Sequence, residues 1–463
     1  MTFHACNPTT GELVQDVASL TAQQGEDLLA TTHAQQQAWR RLTLMQRTPF
    51  VHALGAALRH RREALAAMLT LEMGKPINAA RAEIDKCALL CDLAPDMAVR
   101  ALADEVLVDD ATALVRVRHD PLGTVLAIMP WNFPHWQSLR FAVPALLAGN
   151  GVLIKPAGSV PGSAVLLNQC FVEARANTHN SAGVDAPIHI ALFDVDALDS
   201  IIADDRIVGV TLTGSDRAGR HVAEVAGAHL KKVVLELGGS DPFIVLPGAD
   251  VVRAATVAVA ARTVNSGQSC IAAKRFIVCD AVYDEFLTHF IDGMSHLVVG
   301  DPRDERTQIG PIATASVRDG LAEQVETSTR MGARIALGGG SATTPGYFYP
   351  PTVLVDIPDN APAARQELFG PVASVFRVAD VNAAIAKAND SAFGLGASVW
   401  SRDPATIDRC IAELDAGMVF INDMVASDPR FPFGGIKQSG VGRELGAAGF
   451  REFTNAKTVY VHR

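Results

Sequence analysis

The sequence has no long apolar run, no leader-like N-terminus and no excess of basic residues. Its richest apolar stretch, residues 141–154, is interrupted by Pro144 and Asn150 and is shorter than the ~20 residues that a membrane-spanning helix needs. Residues 1–8 have neither the charged nor the apolar region of a secretory signal. The net charge is −10, without a dense basic run, so nucleic acid is not an expected partner. These absences predict a soluble, cytoplasmic protein that does not bind membranes.

Cysteine is scarce. The chain has seven cysteines, an odd number, scattered along its length, which predicts free thiols in a reducing compartment rather than a disulfide framework. Cys87 and Cys91 are spaced to share one helix face, but no matching His or Cys lies near them in the sequence. We therefore interpret both as core residues and predict no metal site.

The length of 463 residues exceeds the ~250–300 residues at which a single core stops growing, so two or three domains are expected. The spacing of apolar residues predicts that the first hundred residues are mostly helical, mainly over Gln35–Leu71 and Asn78–Ala101. From Thr124 onwards, short apolar runs alternate with helical patterns. That alternation predicts an α/β fold with open, doubly wound sheets. The polar tail from Phe433 to Arg463 is weakly helical in composition and reads as an appendage.

A second series of strands and helices begins after Gly238-Gly239 and continues to about Asn422. Two consecutive α/β lobes predict a functional site in the cleft between them. The chain lacks the G-x-G-x-x-G fingerprint of common dinucleotide-binding units. Any dinucleotide is therefore expected to bind in a non-standard way.

Cys270 is the candidate nucleophile. It ends the run Asn265-Ser266-Gly267-Gln268-Ser269-Cys270, and Glu236-Leu237-Gly238-Gly239 lies about three dozen residues upstream. A thiolate is a good nucleophile, and a nearby carboxylate can activate water for a later step. The alternative is that Cys270 packs as a small hydrophobic residue, as buried cysteines commonly do.

Two further runs end predicted strands, where α/β proteins place their sites. Asn132, in Pro130-Trp131-Asn132-Phe133-Pro134, has an amide that can stabilise an oxyanion, or it simply forms a turn. Thr213-Gly214-Ser215 opens a helix and has the small residues that suit a pyrophosphate. Lys155 also ends a strand and either reaches a hydroxyl or phosphate or is merely solvated.

Two later runs leave their role open. Glu367-Leu368-Phe369-Gly370-Pro371 either grips a ribose diol or forms a helix C-terminus capped by Gly-Pro. The Gly-rich run from Pro432 to Glu444 reads as a turn-rich connection between the lobes.

Taken in order, these runs resemble the aldehyde dehydrogenase superfamily, over about Asn7 to Val461. The resemblance implies a cofactor-binding lobe and a catalytic lobe, each built on a doubly wound open sheet, with a small β oligomerisation arm. It also implies assembly as a homodimer or homotetramer. The implied domains are dinucleotide-binding at 1–107 and 121–235, catalytic at 236–432, and a bridging arm at 108–120 and 433–463.

The resemblance also implies roles for single residues. Cys270 would attack the aldehyde, Asn132 and the Cys270 N–H would hold the oxyanion, and Glu236 would activate water to hydrolyse the thioester. The cofactor would be NAD or NADP. It would contact Trp131, Lys155, Pro156, Ala157, Gly158, Gly214, Ser215, Leu237, Glu367 and Phe369.

Within the family, the chain is most similar to bacterial succinate-semialdehyde dehydrogenases. Arg140, eight residues after Asn132, and Ser427 match the substrate-carboxylate residues of that subgroup, and a guanidinium suits a carboxylate. The run Glu72-Met73-Gly74-Lys75-Pro76 also looks like that subgroup. The implied reaction is oxidation of succinate semialdehyde, or of a similar short ω-carboxy aldehyde, to the acid.

The sequence departs from the family pattern at three places. Val264 stands where many members have a second arginine, with Arg262 two residues away. Gly158 stands where a glutamate often rejects a 2′-phosphate, so the sequence does not choose between NAD and NADP. Residues 193–196 replace a usual Gly-x-Gly turn.

Three alternatives stay open at this point. The first is a dehydrogenase of the same fold that takes a broad range of aliphatic and aromatic aldehydes. The second is a cofactor-free cysteine hydrolase or thioesterase, which would need a histidine base beside the thiol. The third is a catalytically silent member of the fold.

Overall fold

A computed structural model describes residues 2–178, 183–340 and 345–463. The predicted first helical stretch is in fact divided between helices, because Thr43 accepts the Gln46 N–H and starts a new helix. The N-terminal elements are β1 (Thr2–Cys6), β2 (Leu13–Ala18), α1 (Ala22–Trp39), α2 (Leu44–His60), α3 (Arg62–Met73) and α4 (Ile77–Ala101).

Strands and helices then alternate, as predicted. The elements of this region are β3 (Glu105–Asp109), β4 (Ala113–Pro121), β5 (Thr124–Ile128), α5 (Pro134–Ala148), β6 (Gly151–Lys155), α6 (Pro161–Ala176), β7 (Ile188–Ile190), α7 (Leu198–Ala203), β8 (Ile207–Thr213), α8 (Asp216–Ala228) and β9 (Lys232–Glu236).

The second series follows directly. Its elements are β10 (Pro242–Val245), α9 (Val251–Thr263), β11 (Arg275–Cys279), α10 (Asp280–Ser295), α11 (Ala315–Arg330), β12 (Arg334–Leu337), β13 (Thr352–Val355), α12 (Pro362–Arg365), β14 (Val372–Val378), α13 (Val381–Asn389), β15 (Phe393–Gly394), β16 (Gly396–Trp400), α14 (Pro404–Glu413) and β17 (Met418–Ile421). The C-terminal elements are β18 (Ile436–Lys437), β19 (Gly440–Val441), α15 (Gly446–Glu452) and β20 (Thr454–His462).

The first large sheet has the strand order β19-β9-β8-β5-β6-β7. Its strands β5 to β9 are parallel and nearly all buried, which is why they read as continuous apolar runs. The chain proceeds from β5 to β6 on one side, whereas β8 lies on the other side of β5. The carboxyl ends of β5 and β8 therefore flank the switch point where such sheets bind ligands.

The second large sheet has the order β12-β13-β14-β11-β10-β16-β17, and only β12 runs antiparallel to its neighbour. Here too the chain passes from the inner strand β10 to β11 on one side, while β16 pairs with β10 on the other. The prediction of an α/β fold with two doubly wound open sheets is confirmed.

The structure of the C-terminal tail differs from the weakly helical prediction made from its composition. Only Gly446–Glu452 is helical, whereas β20 pairs with β4 along all of its nine residues, and β3 completes a three-stranded sheet. Pairing with a distant strand outweighs the weak local preference. The domain division inferred from the family resemblance stays a prediction.

The Gly-rich run from Pro432 to Glu444 connects the two lobes, as predicted. Within it, β18 pairs with β15, and β19 extends the first sheet by pairing with β9. Gly440 lies opposite Glu236 in that pairing. This run therefore covers the last residue of β9, which the sequence singled out as a candidate base.

Cys87 and Cys91 are fully buried in the apolar core, which confirms their structural interpretation. No helix in the described ranges is long and apolar enough to cross a membrane. Residues 2–178, 183–340 and 345–463 also contain no group of His, Cys, Asp and Glu side chains arranged to hold a metal ion.

Candidate active site

A cleft of about 620 Å³ lies between the two large sheets. The carboxyl ends of β5, β8 and β9 face loops that lead into the amino ends of β11 and β14. The residues that line it are Pro130, Trp131, Asn132, Gln137, Thr213, Gly214, Ser215, Leu237, Gly238, Cys270, Glu367 and Phe369. The structure thus brings the candidate nucleophile, oxyanion donor and most of the candidate cofactor residues to one place.

The loop that presents Cys270 has an unusual backbone. After α9 ends, Asn265, Ser266 and Gly267 all adopt left-handed conformations, with φ of 53°, 57° and 78°. At Gly267 a side chain would place its Cβ 2.3 Å from the carbonyl carbon of Gly370, so only glycine fits. The Ser266 hydroxyl accepts the Gly310 N–H at 2.9 Å, which anchors the loop.

Cys270 is a free thiol, partly exposed to the cleft. Burial of its sulfur raises the pKa of the Cys270 thiol to about 12, whereas the Arg140 guanidinium and the Lys274 ammonium act in the opposite direction. The resting thiol is therefore protonated at neutral pH. These two cations are the groups that favour its thiolate.

Lys274 joins the nucleophile loop to Glu367. It is 1% exposed, and its ammonium donates to the Ser269 carbonyl at 2.8 Å and to the Cys270 carbonyl at 2.5 Å. The same ammonium lies 3.0 Å from the Glu367 carboxylate. A single buried cation thus fixes the backbone on both sides of the Ser269–Cys270 peptide and orients a candidate ribose-binding carboxylate.

Asn132 lies in the turn between β5 and α5 and is 5% exposed. Its Nδ2 donates to the Gln268 carbonyl at 3.0 Å, two residues before Cys270. Asn265 in turn donates to the Asn132 carbonyl at 2.9 Å. An amide has two N–H donors, so one N–H of Asn132 stays available beside the thiol. Asn132 can therefore form the turn and also serve as an oxyanion donor, so the two interpretations are compatible.

Glu236 ends β9 and is 1% exposed. Neither of its carboxylate oxygens has a hydrogen-bond partner in the described part of the chain. Burial raises its pKa well above the usual range; repulsion by Glu444 adds to this, and attraction by Arg140 and Arg443 opposes it. A carboxyl group with a raised pKa and no fixed partner is suited to act as a general base and to change position.

Arg140, predicted to bind the substrate carboxylate, lies on α5 and is 2% exposed. Its Nε donates to Glu444, and its guanidinium lies 4.4 Å from the centre of the Phe433 ring. Its Nη2 has no hydrogen-bond partner among the described residues. Arg140 is therefore not a solvated surface arginine: its guanidinium is buried and still has an unused donor.

Ser427, the second predicted substrate residue, is 9% exposed and lies near the same face of α5. Its hydroxyl accepts the Trp136 indole N–H at 3.2 Å. Trp136 precedes Arg140 by four residues on the helix, and such residues lie on one face. The structure therefore places Ser427 along the face of α5 that carries Arg140.

The candidate cofactor residues include two aromatic rings and the N-cap of a helix. Trp131 and Phe369 meet edge to face, with ring centres 5.7 Å apart. Ser215 lines the cleft and is the N-cap of α8, where its hydroxyl accepts the Ala218 N–H at 3.3 Å. The helix therefore begins at the cleft, and helix N-termini suit phosphate groups. Leu237 and Gly214 complete this side of the cleft.

Glu367 lies in the loop between α12 and β14, and its carboxylate accepts the Gly239 N–H at 3.2 Å. The preceding helix ends at Arg365 and does not include Glu367. The alternative of a helix capped by Gly-Pro is therefore wrong. The carboxylate faces the cleft, where a diol can reach it.

Lys155 ends β6 and is 6% exposed, so it is not merely solvated. Burial lowers the pKa of Lys155, while Asp194 opposes the shift. Its ammonium lies 5.8 Å from the centre of the Phe3 ring. A Cβ added at Gly158 would lie 3.0 Å from that ring, so β1 leaves little room for a larger residue there. Pro156 and Ala157 connect these two positions, and Ala157 packs near Trp131.

A model of the aldehyde dehydrogenase family matches residues 1–459. The chain is 46% identical to the NADP(+) succinate-semialdehyde dehydrogenase 1 of Mycobacterium ulcerans, and 45% identical to that of Mycobacterium tuberculosis. Each match covers 100% of this chain and 100% of the relative. The chain belongs to the aldehyde dehydrogenase family. The resemblance stated from the sequence motifs is confirmed.

Solved structures of the family match this aldehyde dehydrogenase along its whole length. The succinic semialdehyde dehydrogenase of Streptococcus pyogenes, solved with NADP+, is 34% identical, with a TM-score of 0.94 and 100% of each chain covered. The succinate-semialdehyde dehydrogenase of Burkholderia pseudomallei is 32% identical, also with a TM-score of 0.94, and 94% of its chain is covered against 100% of this one.

Arg262 lies two residues from Val264, which occupies the position of the second arginine of many aldehyde dehydrogenases. It is fully buried and donates to the Gly267 carbonyl at 2.8 Å. Burial lowers its pKa to about 9. Arg262 therefore supports the nucleophile loop of this aldehyde dehydrogenase from beneath.

Three residues of this aldehyde dehydrogenase site escaped the sequence interpretation: Gln137, Lys274 and Glu444. Gln137 follows Asn132 by five residues and lines the cleft with a side chain that is 2% exposed. Lys274 follows Cys270 by four residues, a spacing that could have marked it. Glu444 closes the Gly-rich run, and only the fold brings it to Arg140.

Proposed function

We propose that this aldehyde dehydrogenase oxidises succinate semialdehyde, or a similar short ω-carboxy aldehyde, to the acid with NADP as the preferred cofactor. The observation that carries the proposal is the buried guanidinium of Arg140, whose Nη2 has no partner in the described chain. A buried donor left unpaired costs free energy, and a substrate carboxylate would remove that cost. The names of the relatives support the same substrate and cofactor.

The residues support an order of events at Cys270. Its thiolate adds to the aldehyde carbon and forms a thiohemiacetal, whose oxyanion accepts the free N–H of Asn132 and the Cys270 backbone N–H. Loss of hydride converts this adduct to a thioester on Cys270. Glu236 then removes a proton from the water that attacks the thioester, which releases the acid and the thiolate.

The cleft suits a nicotinamide dinucleotide. The start of α8 at Ser215 suits a pyrophosphate, the Glu367 carboxylate suits a ribose diol, and the Lys155 ammonium suits a hydroxyl or phosphate of the other ribose. When bound, the cofactor accepts the hydride. Gly158, held small by Phe3, leaves a 2′-phosphate unopposed by a side-chain carboxylate at that position, which favours NADP.

The test is a steady-state panel of aldehydes with NAD and with NADP, followed at 340 nm. The proposal expects the highest kcat/KM for succinate semialdehyde with NADP and much lower values for butanal and benzaldehyde. Similar kcat/KM values across the panel would support the broad-range alternative, which the valine at position 264 favours. Turnover of a thioester without cofactor, together with no NADH or NADPH formed from any aldehyde of the panel, would support the hydrolase alternative.

The hydrolase alternative lacks support at the thiol. No histidine is hydrogen-bonded to Cys270 in the part of the chain that is described. His135, the histidine nearest Asn132 in the sequence, is fully buried, and burial lowers its pKa to about 4. A thiol without a histidine base is poorly equipped for cofactor-free hydrolysis.

We also propose that the enzyme assembles as a homodimer or homotetramer through the three-stranded sheet of β3, β4 and β20. This sheet overlaps the arm assigned to residues 108–120 and 433–463 and extends it at β3 to Glu105. Strand β3 is exposed along all five residues, including Val106 and Leu107, and β20 exposes Tyr460. Exposed apolar strands commonly mark interfaces. We place the protein in the cytoplasm, in keeping with its seven free cysteines.

A further inference from the structure

The proposed site for the substrate carboxylate has little uncompensated positive charge. Val264 stands where many family members have a second arginine. The neighbouring Arg262 donates through Nη2 to the Gly267 carbonyl, behind the nucleophile loop, and its Nε and Nη1 have no partner among the described residues. The remaining guanidinium, Arg140, is already paired with Glu444. A carboxylate that binds near Arg140 would bring a second negative charge to a cation that is already neutralised, so another positive group is needed.

Lys86 reaches this region from α4, which packs against α5. Its ammonium lies 4.2 Å from the centre of the Trp136 ring, and the edge of the same ring donates to Ser427. Lys86, Trp136 and Ser427 thus follow one another in space. Arg140 lies one helical turn beyond Trp136.

The ammonium of Lys86 has no carboxylate hydrogen-bonded to it within the described ranges. The acidic groups that face it are occupied: Glu83 pairs with Lys75, and Asp428 pairs with Arg430 at 2.7 Å. Burial, with repulsion from Arg140, lowers the pKa of Lys86 to about 8, so it is largely protonated at neutral pH. Glu83 and Asp428 attract the Lys86 ammonium, but in the described ranges neither forms an ion pair with it.

We propose that Lys86 is a specificity-determining residue whose ammonium, together with Arg140 Nη2 and the Ser427 hydroxyl, binds the distal carboxylate of an ω-carboxy aldehyde. The inference rests on the proposed function and assigns to Lys86 the charge that the valine at position 264 lacks. The aromatic face of Trp136 fixes the ammonium without neutralising it. An anion between Lys86 and Arg140 relieves the repulsion between them.

Lys86→Met tests this inference, because the side chain keeps most of its volume and loses its charge. We expect KM for succinate semialdehyde to rise about tenfold, the factor that corresponds to ~1.4 kcal/mol, with KM for butanal changed by less than about twofold. Lys86→Arg should keep KM for succinate semialdehyde near the wild-type value. Succinate should inhibit butanal oxidation by the wild type and should inhibit Lys86→Met several-fold less.

Lys387→Met is the matched control, since Lys387 also lies over an aromatic ring, 4.4 Å from Phe376, in the other lobe. It should leave the preference for succinate semialdehyde over butanal unchanged. If the wild type prefers the carboxylated aldehyde and Lys86→Met keeps that preference, Lys86 has no such role. If the wild type itself shows no preference, the proposed function fails, and the role of Lys86 fails with it.

Discussion

At the scale of single residues, two cations oppose the effect of burial on the pKa of the Cys270 thiol. Burial alone opposes thiolate formation at Cys270, while Arg140 and Lys274 favour it. Of these two, Lys274 also fixes the carbonyls of Ser269 and Cys270 and contacts Glu367. Its position therefore links the reactivity of the thiol to the shape of the cofactor cleft.

Lys274→Met should slow the alkylation of Cys270 by iodoacetamide at pH 8, because loss of the ammonium raises the pKa of the thiol further. We expect roughly a tenfold slower rate, which corresponds to ~1.4 kcal/mol. Mass spectrometry of the Cys270 peptide measures the rate, and KM for NADP should rise in parallel because Glu367 loses its partner. Lys274→Arg should restore much of both properties; a Met variant that alkylates at the wild-type rate would contradict this role.

The raised pKa of Glu236 should make activity depend on pH. In its proposed role as a base Glu236 must be ionised, so we expect activity to fall as pH falls through that pKa. Glu444→Gln removes a repelling charge and frees Arg140 to attract Glu236, and both effects lower the pKa of Glu236. The acidic limb of the kcat–pH profile should therefore move to lower pH.

Glu452→Gln is the control for that shift, because Glu452 pairs with Lys232 at the surface and should leave the profile unchanged. An acidic limb that stays in place in Glu444→Gln, or that moves to higher pH, would show that Glu444 does not act on Glu236.

At the scale of secondary-structure elements, two buried carboxylates fix the N-termini of helices near the site. One is Glu72, in the run from Glu72 to Pro76, and the other is Glu83. The Glu72 carboxylate accepts the N–H groups of Gly162 and Ser163 at 2.6 and 2.8 Å, at the start of α6. Glu83 accepts the N–H groups of His135 and Trp136, both at 3.0 Å, at the start of α5. Carboxylates at helix N-termini are favourable because they meet unpaired donors and the positive end of the helix dipole. The turn that carries Asn132 is therefore fixed from behind.

Glu83→Gln should destabilise this arrangement, since it leaves the fully buried Lys75 ammonium without its counterion. We expect a loss of ~3–5 kcal/mol in the free energy of unfolding, measured by urea denaturation. The kcat should also fall, because Lys75 lies 3.9 Å from the centre of the Phe133 ring beside Asn132. The double variant Lys75→Met, Glu83→Gln should recover part of the stability; equal stability of Glu83→Gln and wild type would refute the role of the pair.

The sequence predicted elements better than it predicted contacts. Apolar runs such as Thr124–Ile128 and Gly151–Lys155 marked buried parallel strands, because both faces of such strands are covered. The structure of the C-terminal tail was not predicted, because β20 forms only by pairing with β4, more than three hundred residues away. The break at Thr43 was missed because the helical pattern continues on both sides of it.

The same limit applies to the whole molecule and its site. The motifs predicted that Asn132, Cys270, Glu367 and Trp131 share one cleft, which the structure brings together. They did not predict the partners of Arg140 and Lys274, because Glu444 and Glu367 approach them only after both sheets have formed. Tertiary structure decides which residues form buried ion pairs, so the spacing of residues in the sequence does not predict these pairs.

At the scale of the whole molecule, we propose that the buried guanidinium of Arg140 selects a carboxylated aldehyde for attack by Cys270. The most direct measurement is the ratio of kcat/KM for succinate semialdehyde to kcat/KM for butanal, with NADP, in the wild type and in the double variant Arg140→Met, Glu444→Gln. Substituting both partners avoids leaving one buried charge unpaired. We expect a large ratio in the wild type that falls by about thirtyfold or more in the variant, as expected for loss of a buried charge pair of ~2–5 kcal/mol. Equal losses for the two aldehydes, or a ratio near one in the wild type, would contradict the proposal.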